Sequence, residues 1–154
     1  MKNRHLPALL LFALAAAASL PAASAPDNGK TIVITASDML KFSVTQIEVQ
    51  RGQTIHIQLK NIGTMPKDVM GHNWILLKAG SDVTAYATAA LSAKGEGYQP
   101  KSLADEVLAS IPLLGPRQTG EVTFVAPDVP GSYSFLCTFP GHFQAGMRGE
   151  LHVR

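Results

Sequence analysis

A single cysteine, Cys137, opens the segment Cys137-Thr138-Phe139-Pro140-Gly141-His142-Phe143-Gln144-Ala145-Gly146-Met147. His142 stands five residues after the cysteine, and Met147 five after the histidine. A second histidine, His72, lies far upstream in Met70-Gly71-His72-Asn73-Trp74. One thiolate, two imidazoles and one thioether are the donors of a type 1 copper centre, where two His and one Cys form a trigonal plane and Met is a weak axial ligand. Cu(I) favours soft sulfur and few ligands, whereas Cu(II) favours nitrogen and more of them. A set that suits both imperfectly lets the metal change oxidation state with little movement of atoms.

Each residue alone has a plainer explanation. A lone cysteine is usually a small buried hydrophobe, and a methionine near a strand usually fills a core. A lone histidine is usually a hydrogen-bonded surface residue. With 5 His and 5 Met in 154 residues, both positions after Cys137 match by chance about once in a thousand. The spacing and the upstream histidine together favour a site over coincidence.

Other chemistries fit less well. A Cys–His hydrolase needs a base beside the thiolate and a third orienting group, and would give Met147 no role. A multicopper oxidase or reductase needs many more histidines. Beyond the first few residues only His56, His72, His142 and His152 are present, and no His-x-His pair occurs. Structural zinc rarely takes a thioether. A copper carrier or storage protein remains the alternative. A closed thiolate site that suits both oxidation states favours redox use over release.

The chain begins with the basic run Met1-Lys2-Asn3-Arg4-His5, continues with the apolar Leu9–Ala18, and reaches Ala23-Ser24-Ala25. This is the pattern of a secretory signal peptide over residues 1–25, with residues 26–154 as one mature domain. Pro26 makes cleavage after Ala25 awkward, so Ala23 or Ser24 is an alternative end, and an uncleaved anchor is another. Without Lys2 and Arg4 the 13 basic residues fall to 11, equal to the acidic ones. A neutral domain gives no reason to expect nucleic acid or an anionic membrane as partner. In an oxidising, exported compartment an unpaired cysteine is exposed to mispairing unless something occupies it.

Short alternating runs follow: Thr31–Ile34, Ile47–Val49, Thr54–Leu59, Glu121–Val125, Tyr133–Cys137 and Gly149–Val153. Asn73–Leu77 reads as a buried strand and Val107–Ile111 as a return strand. Arg51-Gly52-Gln53 has the composition of a hairpin connection, and Ala126–Ser132 that of a rigid turn. Such strands predict an all-β sandwich. Residues 81–93 are Ala-rich with capping residues at their start and read as a helix, within a helical flap spanning residues 81–105. His56 and His152 alternate with apolar neighbours and should face solvent. Trp74 should lie in the core.

Met70-Gly71-His72-Asn73-Trp74, Cys137-Thr138-Phe139-Pro140-Gly141-His142 and Met147 resemble the azurin and auracyanin branch of the cupredoxins, from about Lys30 to Arg154. The resemblance implies a Greek-key β-sandwich with one type 1 copper and no enzymatic activity. It implies His72, Cys137 and His142 as equatorial ligands, Met147 as the axial one and the Gly71 carbonyl as a weak ligand opposite it. It also implies that Asn73 ties the two ligand segments together near Thr138, and that the Phe139 amide donates to the sulfur. The protein would be a monomer that exchanges electrons with redox proteins such as a c-type cytochrome or a copper reductase. The exchange would run through an exposed edge of His142 within a patch drawn from Met65, Met70, Pro140, Gly141 and Phe143. Two features depart from azurins. Cys137 has no partner for a disulfide, and Asn61 stands near where azurins place a non-ligand histidine.

Overall fold

The structure, a computed structural model, describes residues 29–154. The expected signal peptide therefore lies outside the described residues. Nine strands form two facing sheets. One sheet holds β1 (Lys30–Ser37), β2 (Lys41–Phe42), β4 (Thr54–Asn61) and β7 (Thr119–Val125) in the order β2-β1-β4-β7. The other holds β3 (Gln46–Val49), β5 (His72–Leu77), β6 (Val107–Leu114), β8 (Gly131–Leu136) and β9 (Arg148–Val153) in the order β3-β9-β8-β5-β6. The pairs β1–β4 and β3–β9 are parallel and the others antiparallel, which gives two mixed sheets. No helix among the described residues is long and apolar enough to cross a membrane.

Period-two patterning sets the inner faces. Ile55, Ile57 and Leu59 of β4 are buried against Ile34, Trp74, Leu76, Ile111, Phe135 and Leu151. Trp74 is fully buried, its ring centroid 5.4 Å from that of Phe135. An indole buried this way stabilises a fold by about 3–5 kcal/mol relative to Ala. Strand β5 is buried at all six positions because it is covered on both sides. Trp74 and Leu76 face the sandwich core, while Ile75 and Leu77 pack under the flap with Tyr86, Ala87, Leu136 and Phe143.

The flap is only partly α-helical. Helix α2 (Val83–Ala90) starts at Asp82, whose carboxylate accepts the Ala85 N–H at 2.9 Å. Two 3-10 segments, Lys94–Glu96 and Lys101–Glu106, complete it. A one-turn helix, α1 (Lys67–Met70), precedes the first ligand strand and has no counterpart in the sequence reading. The expected hairpin at Arg51–Gln53 does not form. Strands β3 and β4 belong to opposite sheets, and the turn carries the chain across the sandwich. Gly52 N–H donates to the Ala126 carbonyl and Arg51 N–H to that of Arg154, so the turn is tied to both sheets instead of closing a ladder.

Candidate metal centre

The antiparallel pairing of β5 with β8 places Ile75 opposite Leu136. The start of β5 and the end of β8 therefore lie at the same end of the sandwich. His72 begins β5, after α1 and the buried Gly71, and Cys137 directly follows β8. Residues 137–147 leave the sheet as a closed loop. Cys137 N–H donates to the Met147 carbonyl and Met147 N–H to the His142 carbonyl, each at 3.0 Å. Gly141 and Gly146, at φ +83° and +87°, make its reversals, a conformation that β-carbons disfavour.

The ligand atoms of His72, Cys137 and His142 all lie within 4.8 Å of one another. The Cys137 sulfur is 3.4 Å from Nδ1 of His142, and the two imidazole centroids are 4.9 Å apart. His72, Cys137 and Met147 are fully buried, and His142 is 2% exposed. Neither ring nitrogen of His72 has a hydrogen-bond partner, although both are buried. Leaving such a group unpaired costs about 1–3 kcal/mol. A metal ion would satisfy it, and a soft thiolate with two imidazoles suits copper.

Buried polar contacts join the two ligand segments. Thr138 N–H donates to Asn73 Oδ1 at 2.8 Å, and Asn73 Nδ2 donates to Thr138 Oγ1 at 2.7 Å. These two residues directly follow Cys137 and His72, so the pair fixes the sulfur against the first imidazole. Burial pushes the Cys137 thiol up to about 12, while the backbone N–H groups of Asn73 and Phe139 facing the sulfur pull the other way. Those amides would stabilise a thiolate once a cation replaces the proton. Desolvation, and then the neighbouring His72, push His142 down to about 4. Burial also lowers His72, partly offset by the Asp38 carboxylate and by a nearby Ser37 carbonyl that does not complete a hydrogen bond. Without metal, the site holds a neutral thiol and two neutral imidazoles.

The structure brings together the side chains of His72, Cys137 and His142, ties the Met147 backbone to the same loop, and has Gly71 directly before His72. It revises the expected electron port. His142 is nearly closed off, and Phe143 is 8% exposed and packed inward under the flap with Leu136. A loop tip this short turns Phe143 toward the core, and Arg148 lies 5.0 Å over its ring. Pro140, Gly141 and Met65 are exposed as expected, and Met70 is half-buried. The exposed Met39, Ile62 and Val69 were not anticipated. Their segments reach the same end of the molecule, because Lys41 Nζ donates to the Ala145 carbonyl and Thr64 donates to Asp38. His56 and His152 sit on the outward positions of their strands as expected, each half-buried by its neighbours. His56 bonds Thr123, and His152 bonds Ser132 and Gln46.

A mixed-sheet β-sandwich carrying a buried His–Cys–His cluster at one end defines a cupredoxin. The family of copper-binding proteins, plastocyanin/azurin family, matches residues 30–154, and the chain belongs to it. Auracyanin-A of Chloroflexus aurantiacus is 40% identical over 116 residues, covering 74% of this chain and 67% of that protein. Azurin of Bordetella pertussis is 36% identical over 144 residues, covering 92% of this chain and 93% of that protein. The match to Auracyanin-B of Chloroflexus aurantiacus, 33% identical and covering 79% of this chain, spans only half of that longer protein. The solved structure of auracyanin A, described as a "blue" copper protein, superposes with a TM-score of 0.72 at 37% identity, covering 82% of this chain and 99% of that one. Reduced auracyanin from Roseiflexus castenholzii gives 0.71 at 34% identity, covering 80% and 96%. The cofactor is copper, and the three converging donors suit one type 1 ion.

Proposed function

We propose that this protein is an exported electron carrier in which His72, Cys137 and His142 would hold one copper, with the Met147 thioether and the Gly71 carbonyl as weaker donors. The observation that carries this reading is the buried convergence of one cysteine sulfur and two imidazoles within 4.8 Å, with both His72 nitrogens unpartnered. Bound there, copper supplies one-electron chemistry between Cu(I) and Cu(II). The chain supplies the rest. Cys137 gives up its proton, and the amides of Asn73 and Phe139 hold the resulting sulfur charge. The Cys137–Met147 and Met147–His142 backbone bonds keep the loop donors at fixed spacing. The surrounding core excludes water.

Among His72, Cys137, His142 and Met147, His142 is the least enclosed, at 2% exposure, and the proposed electron path runs through it. Exposed Met39, Ile62, Met65, Val69, Pro140 and Gly141 give that end an apolar surface suited to brief docking with redox proteins such as a c-type cytochrome or a copper reductase. Residues 1–25 act as a signal peptide that delivers residues 26–154 to the periplasm as one domain. Membership of the plastocyanin/azurin copper-binding family supports a monomeric carrier and not an enzyme.

Copper titration of the mature protein tests this. Wild type should take up one equivalent and turn intensely blue, bleach with ascorbate and recover with ferricyanide. Cys137→Ser should lose the colour altogether. A Cys137→Ser protein that stays blue would sink the assignment.

A further inference from the structure

The flap meets the ligand loop at one backbone turn. The 3-10 segment Lys94–Glu96 ends on Gly97, which is left-handed at φ +65°. Tyr98 N–H donates to the Ala93 carbonyl at 2.9 Å and Gly97 N–H to that of Lys94 at 3.1 Å. These are the paired bonds of a Schellman cap, where a left-handed glycine is ordinary. The next residue is not ordinary. Tyr98 is also left-handed, at φ +61°. A bulky aromatic residue seldom adopts that conformation, because its β-carbon crowds the backbone. Such a residue persists only where its surroundings over-determine it.

The surroundings here are the metal-site supports. The Tyr98 carbonyl accepts the Thr138 hydroxyl at 2.6 Å. The Gly97 carbonyl accepts a long 3.4 Å bond from Asn73 Nδ2, the same amide that donates to Thr138 Oγ1. The Tyr98 ring, 7% exposed, meets Phe139 edge-on with centroids 5.2 Å apart, and Phe139 lies 4.7 Å from the His142 ring. One turn therefore touches Asn73 beside His72, Thr138 beside Cys137, and Phe139 against His142. An ordinary negative φ at Tyr98 would swing its carbonyl away and leave the buried Thr138 hydroxyl without that acceptor.

We propose that Tyr98 is a positioning residue, and that the left-handed Gly97–Tyr98 turn clamps the two ligand-bearing segments in their metal-ready arrangement before copper arrives. The proposal rests on the copper reading above for its purpose, but the clamp acts in the metal-free protein and is measured there. A clamp of this kind keeps the donors from relaxing when the ion is lost. It also slows loss of the ion, because release requires the donors to part.

Two substitutions attack the clamp from opposite sides. Tyr98→Ala removes the ring from Phe139, and Thr138→Val keeps the side chain's shape but removes the hydroxyl that donates to the Tyr98 carbonyl and accepts from Asn73 Nδ2. Tyr98→Phe is the conservative control. Amide hydrogen exchange is measured on metal-free proteins, and copper release to a chelator on loaded ones. In both clamp variants, exchange at residues 72–74 and 137–143 should rise about tenfold relative to strand β4, copper release should quicken about tenfold, and Tyr98→Phe should match wild type. Unchanged exchange at those segments would overturn the clamp. So would a rise shared equally by β4 and tracking a lower denaturant midpoint, which is the signature of a general packing loss. Should Tyr98→Ala not fold, Tyr98→Leu replaces it under the same criteria, because Thr138→Val also removes the acceptor of Asn73 Nδ2 and does not isolate the clamp. Absence of copper binding by wild type would overturn the copper reading instead, and the exchange contrast would still judge the clamp.

Discussion

Lowering the pH should destabilise the metal-free protein well above the range where carboxylates titrate. His142 is pushed from an ordinary 6.5 to about 4 by burial and by its neighbour His72, and His72 is shifted in the same direction. In the unfolded chain both rings would titrate near their ordinary value. Between those limits the unfolded state binds more protons than the folded one, so stability falls as pH falls. It is fully present above about 6.5, is lost through the window down to about 4, and then levels off for this group. From pH 7 to pH 5 the His142 contribution alone is about 2 kcal/mol. His72 adds to it. Asp38, held below its usual value chiefly by the Thr64 N–H, acts only at lower pH and so does not blur the window. Urea unfolding followed by Trp74 fluorescence gives the readout. A loss of about 2 kcal/mol corresponds to a midpoint lowered by roughly 1 M. Metal-free His142→Gln should lose most of this dependence, and Cys137→Ser should keep it. In the copper-loaded protein the folded site takes up no protons, while the unfolded chain, having released copper, protonates both rings and the thiol, so the midpoint should fall with pH at least as steeply. A metal-free wild type with a level midpoint from pH 7 to pH 5, or a His142→Gln protein as steep as wild type, would refute the reasoning.

Met147→Leu should keep copper and the blue colour while favouring Cu(I) about tenfold, or about 59 mV for one electron; an unchanged or lower potential would count against an axial Met147. Met65→Lys and Met70→Lys should slow electron self-exchange at low salt, since two facing ammonium groups about 10 Å apart repel by about 0.4 kcal/mol per pair in water. Added salt should restore the rate without changing the visible spectrum, and rates equal to wild type at low salt would move the port elsewhere. Asn61 is 2% exposed, and its neutral side chain accepts from Gly63 N–H and donates to the Leu114 carbonyl. With no titrating group at that place, the potential of the loaded protein should be flat from pH 6 to pH 8, and a slope there would show that another residue couples to the copper.

The ligand loop was legible because its signal is local. The five-residue spacing of Cys137 and His142 survives any rearrangement elsewhere, and β4 and β5 announce themselves by alternation and by continuous apolarity. What was misread depends on where the chain goes next. Arg51-Gly52-Gln53 has the same composition whether the flanking strands pair or cross between sheets, and the parallel β1–β4 and β3–β9 pairs decide the matter. Phe143 looked like surface because it follows a loop histidine, but the flap gives it an apolar bed that only tertiary packing reveals. Tyr98 carried no signal at all, since its role lies in a backbone carbonyl and a positive φ. Glycine before it was a hint, but only of a turn.

These misreadings share a cause with the way the site works. The donors come from two segments that sequence separates by 65 residues at Asn73 and Thr138, and side-chain chemistry alone does not hold such segments together. Three kinds of contact do so. The β5–β8 pairing sets the distance, the Asn73–Thr138 exchange sets the angle, and the flap turn caps both. Each is made of groups buried away from water, where a hydrogen bond resists rearrangement most strongly. The site is therefore rigid for reasons that do not involve the ion. In the proposed electron carrier, rigidity of that origin would matter most for electron exchange. Donors fixed by the fold would keep one geometry for both oxidation states, so the energy needed to reorganise them at each transfer would stay small. The cost appears in the metal-free protein, as an unpaired His72 and a thiol held protonated up to about 12.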